Sequence, residues 1–389
     1  MEAKTENEFF EITDSLSGLI KDYLEIKVLE QDIDEEKREF GTTLSAEAYR
    51  YYIEGFKLGY KDKFELAIQS FTRAVEIDSS FTNAYYFLSL LYWSIGQNRE
   101  ATYYLNKAYA GREKIPLKEK LALDANKALI EKNFQEVLKL EEQLVELMPQ
   151  SAWWWRAIGS ECYNLQQYNK SVAAYEKAYQ LYQKMGLNLQ LCSFYLSFGI
   201  SLHQIGNHQR EKEIFEEGLK IDSEKSWATG AIFYNQAVCA FSQGDTIQGN
   251  KYLDQLRAIS SEQDWGEADI INEQAGIYEE SAYLDKAAEL YRKAYQLDPG
   301  NSSILNRYAH FLIKNNIDVK KGVELIDHAL EIEPDNGDFL YTKGLGLYKQ
   351  GRFEEASEVL KKAWDLRWGY SHEHYLLMQE VEKELSKGK

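Results

Sequence analysis

The amino-acid sequence predicts an all-α protein, a solenoid of antiparallel helix pairs, and three observations support this prediction. The chain of 389 residues has only 4 prolines, and proline interrupts helices because it lacks a backbone N–H. Hydrophobic residues make up 44% of the chain, which is enough for a buried core. The third observation is a pattern of small residues that recurs about every 34 residues, as in stacked-repeat proteins.

The pattern is clearest when residues 48–81 are aligned with residues 337–370. Both segments have glycine at place eight, alanine at places twenty and twenty-seven, and a larger apolar residue at place twenty-four. Small residues would let helix backbones approach closely, and the larger residue would fill the space between them. In order, these residues are Gly55, Ala67, Phe71 and Ala74 in the first segment and Gly344, Ala356, Leu360 and Ala363 in the second.

This pattern resembles the tetratricopeptide repeat, in which the first helix of a pair carries place eight and the second helix carries the other three places. The resemblance implies about nine repeats within residues 46–370, wound into a right-handed superhelix. Taken in order, the repeats begin at or near Ala48, Thr82, Lys118, Ala152, Cys192, Gly230, Ala268, Ser302 and Gly337.

Further residues support each of the inner repeats in turn. Small residues return at the packing places, and proline follows the second helix of three repeats, where it would end that helix. From the second repeat to the eighth, these residues are Ser89 and Ala101, Ala125 and Pro149, Gly159 and Ala178, Gly199 and Gly218, Ala237 and Gly249, Ala275 and Pro299, and Ala309 and Pro334. Residues 371–389 predict a C-terminal capping helix, because the end of a repeat stack needs a cap.

Residues 1–45 do not fit the repeat frame. Apolar residues recur there at helical spacing up to residue 24, and residues 24–29 alternate like a short strand. Two interpretations remain open, an N-terminal cap or the remnant of a preceding domain. The second rests on a resemblance to bacterial regulatory proteins in which a small TolB-like α/β domain precedes a tetratricopeptide array, often downstream of a kinase, cyclase or DNA-binding domain.

The charge of the chain argues against several kinds of partner. The formal net charge is −18, and residues 1–45 alone hold 13 Asp/Glu against 5 Lys/Arg. Nucleic acids and anionic membranes are bound by basic surfaces, so we predict that neither is a partner. Residues 1–8 lack the apolar core of a signal peptide, and no apolar run approaches the ~18 residues of a membrane span. We therefore expect a cytoplasmic protein, and the oligomeric state is left open.

The sequence contains no pattern of residues that predicts catalysis. Nucleotide-binding, metalloprotease and serine-hydrolase motifs are absent, so we predict that the chain is not an enzyme and has no catalytic residue, cofactor or metal site. The three cysteines, Cys162, Cys192 and Cys239, are far apart in sequence and are expected to be buried free thiols. His372 and His374 are expected to be surface histidines, because residues two apart point to different faces of a helix.

In tetratricopeptide repeats, certain places of each first helix line the concave face, and the resemblance implies a binding groove there. Aromatic and amide side chains suit an extended peptide, since amides pair with its backbone and aromatic rings add contact area. We therefore predict a non-enzymatic scaffold that binds a protein or extended peptide, as a regulatory or adaptor module of a bacterial protein. The alternative is a peptide-sensing arm that switches an attached cyclase, kinase or DNA-binding domain, and core packing is the alternative role of each aromatic residue. The candidate groove residues are Tyr52, Tyr86, Trp93, Asn126, Trp153, Arg156, Tyr163, His203, Tyr234, Asn235, Asn272 and Asn306.

Overall fold

The computed structural model describes residues 43–59, 63–184, 192–221, 227–367 and 369–387. These residues form 19 α-helices and one 3-10 turn, Arg112–Lys114, and none of them lies in a strand. The predicted all-α fold is therefore confirmed for this part of the chain. The predicted N-terminal helix and the predicted strand at residues 24–29 lie outside the described residues.

Consecutive helices of the described chain form nine pairs, and a single helix follows them. The helices of a pair are joined by only three or four residues, and so short a connection makes them antiparallel. The pairs are α1 (Ala46–Gly59) with α2 (Phe64–Ile77), α3 (Thr82–Ser94) with α4 (Asn98–Ala110), α5 (Leu117–Ile130) with α6 (Phe134–Leu147), α7 (Ala152–Asn164) with α8 (Tyr168–Lys184), α9 (Cys192–Gln204) with α10 (His208–Ile221), α11 (Trp227–Ser242) with α12 (Thr246–Glu262), α13 (Glu267–Glu280) with α14 (Leu284–Leu297), α15 (Ser302–Lys314) with α16 (Val319–Ile332), and α17 (Gly337–Lys349) with α18 (Phe353–Leu366); the last helix is α19 (His372–Lys387).

The chain divides into two compact units. Of the described residues, 43–163 and 169–184 belong to the first unit, and 164–168 and 192–387 belong to the second. Aromatic rings fill the core of the first two pairs, where the centroids of Phe56 and Phe87 are 4.4 Å apart. A core cluster in the second unit instead combines alanines with larger apolar residues such as Leu305 and Ile326. Each unit therefore has a buried core of its own.

The small residues of the repeat pattern lie where the two helices of a pair touch. A Cβ atom on Gly55 would come within 2.8 Å of the Phe71 ring, and a Cβ atom on Gly344 would come within 2.5 Å of the Leu360 side chain. Both distances are well below the 3.5–4.0 Å at which carbon atoms make favourable contact, as a rough standard. Place eight is therefore small because the residue at place twenty-four packs directly against it.

The turn inside each of the pairs from the second to the ninth contains one residue in the left-handed backbone region. Glycine holds this position in four turns, with φ between 75° and 77°. In the other four turns a residue with a Cβ atom adopts it, at a cost of about 1–2 kcal/mol. In chain order, the eight residues are Gly96, Lys132, Gln166, Gly206, Gly244, Ala282, Asn316 and Gly351.

Two predictions about single residues need correction. Cys162 and Cys192 are buried as predicted, but Cys239 is only partly buried; all three are free thiols. His374 is fully buried rather than exposed, and its ring Nε2 lies 3.0 Å from the backbone oxygen of Leu360. The reason is that α19 packs against α18, so one face of α19 is covered.

Across the described part of the chain, no helix combines the length with the apolar composition that a membrane span requires.

Candidate functional site

Tyr52 lies in the aromatic core of the first unit and not on a binding face. The residue is 0% exposed, and its ring centroid lies 5.0 Å from that of Phe56 and 4.8 Å from that of Phe81. The prediction that Tyr52 contacts a peptide is therefore wrong, and its alternative role, core packing, is what the structure shows. The physical reason is that Phe81 and Phe87 from the second pair cover the ring.

Three other candidate residues of the first unit meet around Glu141, which the sequence did not single out. We call this group of Tyr86, Glu141, Trp153 and Arg156 the Arg156 cluster. The guanidinium carbon of Arg156 lies 4.3 Å from the centroid of the Trp153 ring, a cation–π contact. Burial raises the pKa of the Tyr86 hydroxyl, and electrostatic repulsion from the nearby Glu141 carboxylate raises it further. Glu141 is 6% exposed, and burial raises the pKa of its carboxyl group well above the ordinary value. The cluster thus brings a buried hydroxyl, a buried carboxyl group and a stacked guanidinium together.

Asn126 is buried without a hydrogen-bond partner. It is 2% exposed, and within the described chain neither its amide nitrogen nor its amide oxygen forms a hydrogen bond. Glu141 Oε2 and Arg156 Nε are likewise buried and form no hydrogen bond within the described chain. Buried polar atoms are normally hydrogen-bonded, so these atoms would need a water molecule, or an opening of the cluster that admits a ligand, to be paired. The candidates Trp93 and Tyr163 are half-buried on α3 and α7.

In the second unit, three first helices bring together Tyr234, Glu273, Glu280 and Arg307, which we call the Arg307 cluster. The Tyr234 hydroxyl donates a hydrogen bond of 2.7 Å to Glu280 Oε1, and Arg307 Nη2 lies 3.1 Å from Glu273 Oε1. Gly276 makes this approach possible, because a Cβ atom there would come within 2.8 Å of the Tyr234 hydroxyl oxygen. The helices α11, α13 and α15 therefore share one polar face.

Tyr234, Asn272 and Asn306 occupy place five of three successive repeats, counted from the predicted repeat starts. Asn272 is 5% exposed and Asn306 is half-buried, and the side-chain oxygen of each is buried without a donor among the described residues. Asn235 differs, because its Nδ2 donates to the Ala231 backbone oxygen at 2.8 Å. Its amide is thus engaged by its own helix, whereas the two place-five amides have oxygens that can still accept hydrogen bonds.

Two carboxylates on this face have neutral partners. Glu279 accepts hydrogen bonds from the Tyr291 hydroxyl at 2.9 Å and from the Asn315 amide at 3.3 Å, and Glu280 accepts one from Tyr234. Neither carboxylate forms an ion pair within the described ranges. Partial removal from water at this face raises the pKa of the Glu280 carboxyl group. The face therefore carries carboxyl groups that a basic ligand could pair with.

His203 does not join the Arg307 cluster. Its Nδ1 atom lies 3.4 Å from Glu211 Oε2, and the hydrogen bond to this carboxylate raises the pKa of His203. His208 and Cys239 also contact Glu211. This group was not predicted from the sequence, although His208 and Glu211 lie three residues apart, a spacing that places them on one face of a helix.

A cavity of about 590 Å³ opens in the first unit among α6, α7 and α8. Trp155, Ile158 and Cys162 line it together with two lysines, Lys170 and Lys177. The Trp155 indole N–H donates a hydrogen bond of 3.1 Å to the Pro149 backbone oxygen. Burial raises the pKa of the Cys162 thiol to about 12, so this thiol stays protonated near neutral pH. Trp155 therefore lines the cavity while its indole nitrogen is held by the backbone of the preceding turn.

Known proteins resemble this chain in sequence and in structure. The family model of the tetratricopeptide repeat matches residues 155–185 and 268–301, which overlap the fourth and seventh pairs. A tetratricopeptide-repeat-containing protein of Dictyostelium discoideum is 24% identical over 161 residues, which are 40% of this chain. The chain spans 60% of the length of this curated relative.

The chain also matches three solved structures at low sequence identity. Yeast Tom70 is 14% identical with a TM-score of 0.41, and 87% of this chain and 88% of that chain are covered. The tetratricopeptide domain of P58(IPK) is 15% identical with a TM-score of 0.29, covering 88% and 99%. A tetratricopeptide repeat protein from Parabacteroides merdae is 11% identical with a TM-score of 0.38, covering 68% and 98%.

Tetratricopeptide repeats are thus identified at residues 155–185 and 268–301, as the sequence pattern predicted, within a regular succession of helix pairs in the described chain.

Proposed function

We propose that the chain is a protein-binding scaffold that holds an extended, basic segment of a partner across α11, α13 and α15. The observation that carries this proposal is the row of place-five residues, Tyr234, Asn272 and Asn306, in which two buried amide oxygens accept no hydrogen bond within the described chain. The backbone N–H of an extended peptide is a donor that such an oxygen can pair with after a rotation of the side chain turns it toward the partner. The Tyr234 ring adds contact area at low entropic cost.

The spacing of helices in a repeat array suits an extended ligand. Packed helices lie about 8–10 Å apart, and an extended chain advances about 3.3 Å per residue. A partner would therefore cross one repeat in about three residues and would pass from Tyr234 to Asn306 in roughly six residues. A short segment is thus long enough to meet all three place-five residues at once.

The charges on this face favour a basic segment. Arg307 is already paired with Glu273, whereas Glu279 and Glu280 receive hydrogen bonds from neutral groups only. A lysine or arginine of the partner would form charge-assisted hydrogen bonds with these carboxylates, which are about twice as strong as neutral ones. The net charge of −18 adds a long-range attraction in the same direction.

Selection from a library of extended peptides, followed by fluorescence anisotropy with the best binder, tests the site. The double variant Asn272→Ala with Asn306→Ala should bind about 5–30-fold more weakly, because loss of anchor residues costs at least ~1–2 kcal/mol. Asn250→Ala, on an exposed position of α12, is the matched control and should bind like the parent chain. Equal affinity of the double variant and the parent would refute this site, and selection of acidic or neutral peptides would refute the charge argument.

The regulatory or adaptor role of the chain and its cellular location remain predictions. The regulatory or adaptor role in a bacterial protein rests on residues 1–45, almost all of which lie outside the described residues, and a cytoplasmic location is expected from the sequence alone. The encoding reading frame tests the regulatory role: a cyclase, kinase or DNA-binding domain upstream would support it, and a start codon at Met1 would favour an independent adaptor. The Arg156 cluster, with Trp93, Asn126 and Tyr163, stays a second predicted binding region.

A further inference from the structure

Four metal-ligating side chains meet in the second unit, where the fifth pair packs against α11. His203 comes from α9, His208 and Glu211 come from α10, and Cys239 comes from α11. One ligand atom of each residue lies within 4.8 Å of the ligand atoms of all the others. Three helices of two successive repeats thus contribute to a single group of donors.

The distances within this group match the size of a small coordination shell. Glu211 Oε2 lies 3.0 Å from His208 Nδ1, 3.2 Å from Cys239 Sγ and 3.4 Å from His203 Nδ1. Cys239 Sγ lies 3.6 Å from His208 Nδ1. In a tetrahedral zinc site with bonds of about 2.0–2.3 Å, neighbouring ligand atoms are roughly 3.3–3.8 Å apart. Small shifts of these side chains would therefore place all four donors around one ion.

The carboxylate at the centre of the group lacks a cationic partner other than histidine. Glu211 is 1% exposed, and no lysine or arginine in the described part of the chain forms an ion pair with it. Its Oε1 atom is buried and accepts no hydrogen bond of normal geometry. A buried carboxylate is costly unless it is paired, and a divalent cation bound between these residues would supply the missing positive charge.

A cavity of about 270 Å³ lies beside the group and gives an ion a way in from solvent. His208, Glu211 and Cys239 line it, together with Gln236 and Gln243. The Gln243 amide is 2.8 Å from Cys239 Sγ and donates a hydrogen bond to it. Hydrogen bonds of this kind, from groups that do not touch the ion, orient the ligands of metal sites and raise the affinity for the ion.

We infer that His203, His208, Glu211 and Cys239 form a binding site for a divalent cation of the zinc class. Two imidazoles, one thiolate and one carboxylate suit zinc, because sulfur and nitrogen donors select against magnesium and calcium. Four protein ligands fill a tetrahedral shell, so the site is structural rather than catalytic. The ion would cross-link α9, α10 and α11 and thereby fix the sixth repeat against the fifth. This inference is independent of the proposed peptide site.

Titration of the full chain with zinc chloride alone, after removal of metals by a chelator, tests the site. We expect one zinc ion per chain, a higher melting temperature with zinc, and an affinity at least about tenfold weaker in Cys239→Ser and in His208→Gln. Cys162→Ser and His328→Gln are the matched controls, a cysteine of the first unit and an exposed histidine of α16, and both should bind zinc like the parent.

The absorption spectrum of cobalt(II) bound to the parent chain tests the same site, and it does not depend on whether a variant folds. Bound to the parent chain, cobalt should give the visible bands of a tetrahedral site and a near-ultraviolet band from thiolate-to-metal charge transfer, which Cys239→Ser should abolish. The inference is overturned if the parent binds less than one ion, if its cobalt complex lacks the thiolate band, or if the two ligand variants bind zinc as tightly as the controls.

Discussion

Gly344 provides a direct test of the packing rule that defines the repeats. In Gly344→Ala, the new Cβ atom would lie 2.5 Å from Leu360 Cδ2 and 2.6 Å from Leu360 Cγ. Leu360 is 0% exposed, so its side chain has no free space to move into. Overpacking of this kind costs about 1–3 kcal/mol, whereas alanine is favoured over glycine inside a helix by about 0.5–1 kcal/mol. We expect the free energy of unfolding to fall by roughly 0.5–2 kcal/mol.

Gly230→Ala is the matched control, because Gly230 also lies inside a helix, α11. A Cβ atom there would meet only Leu256 Cδ1, at 3.7 Å, which is an ordinary contact. This variant should therefore gain about 0.5–1 kcal/mol from the helix preference of alanine. Urea unfolding followed by circular dichroism measures both changes. If Gly344→Ala stabilised the protein as much as Gly230→Ala does, the packing rule would be refuted.

Two further predictions concern a turn and a buried carboxyl group. Ala282→Gly should raise the free energy of unfolding by about 0.5–1 kcal/mol. Ala282 has a φ of 65°, and the strain of about 1–2 kcal/mol at this angle exceeds the entropic cost of glycine in the unfolded chain. An unchanged midpoint of urea unfolding would contradict this prediction. Burial raises the pKa of Glu119 from 4.5 in the unfolded chain to about 7, so its ionisation removes stability as the pH rises through this window. Glu119→Gln should then be more stable than the parent by on the order of 2–3 kcal/mol above about pH 8, and equally stable near pH 4.5, the ordinary pKa of the carboxyl group. A stability difference that does not change with pH would show that ionisation of Glu119 does not cause it.

The sequence predicted the helix pairs well because the repeat pattern records contacts between neighbours. Glycine at place eight and a large residue at place twenty-four are two sides of one contact, as Gly344 and Leu360 show, so periodicity alone reveals the packing. The pattern did not show that Ala282 and Asn316 adopt the left-handed conformation that glycine holds in four other turns.

The candidate site was harder to predict, because place five lies at the border between the core and the open face. Tyr52 and Tyr234 occupy the same place, yet Tyr52 is covered by Phe81 while Tyr234 reaches across to Glu280. The difference comes from residues of other helices, which no single repeat displays. The group of His203, His208, Glu211 and Cys239 was not predicted for the same reason, since Cys239 contacts Glu211 from the next repeat.

The short turns inside the pairs have a consequence for how this protein reaches its native state. Because each turn spans only three or four residues, most contacts join parts of the chain that are close in sequence, and such low contact order favours fast folding. In a stack where each repeat contacts only its neighbours, structure can begin at any pair and spread to the next one. Hydrogen exchange should therefore show protection that changes from pair to pair along the described chain, rather than one uniform value.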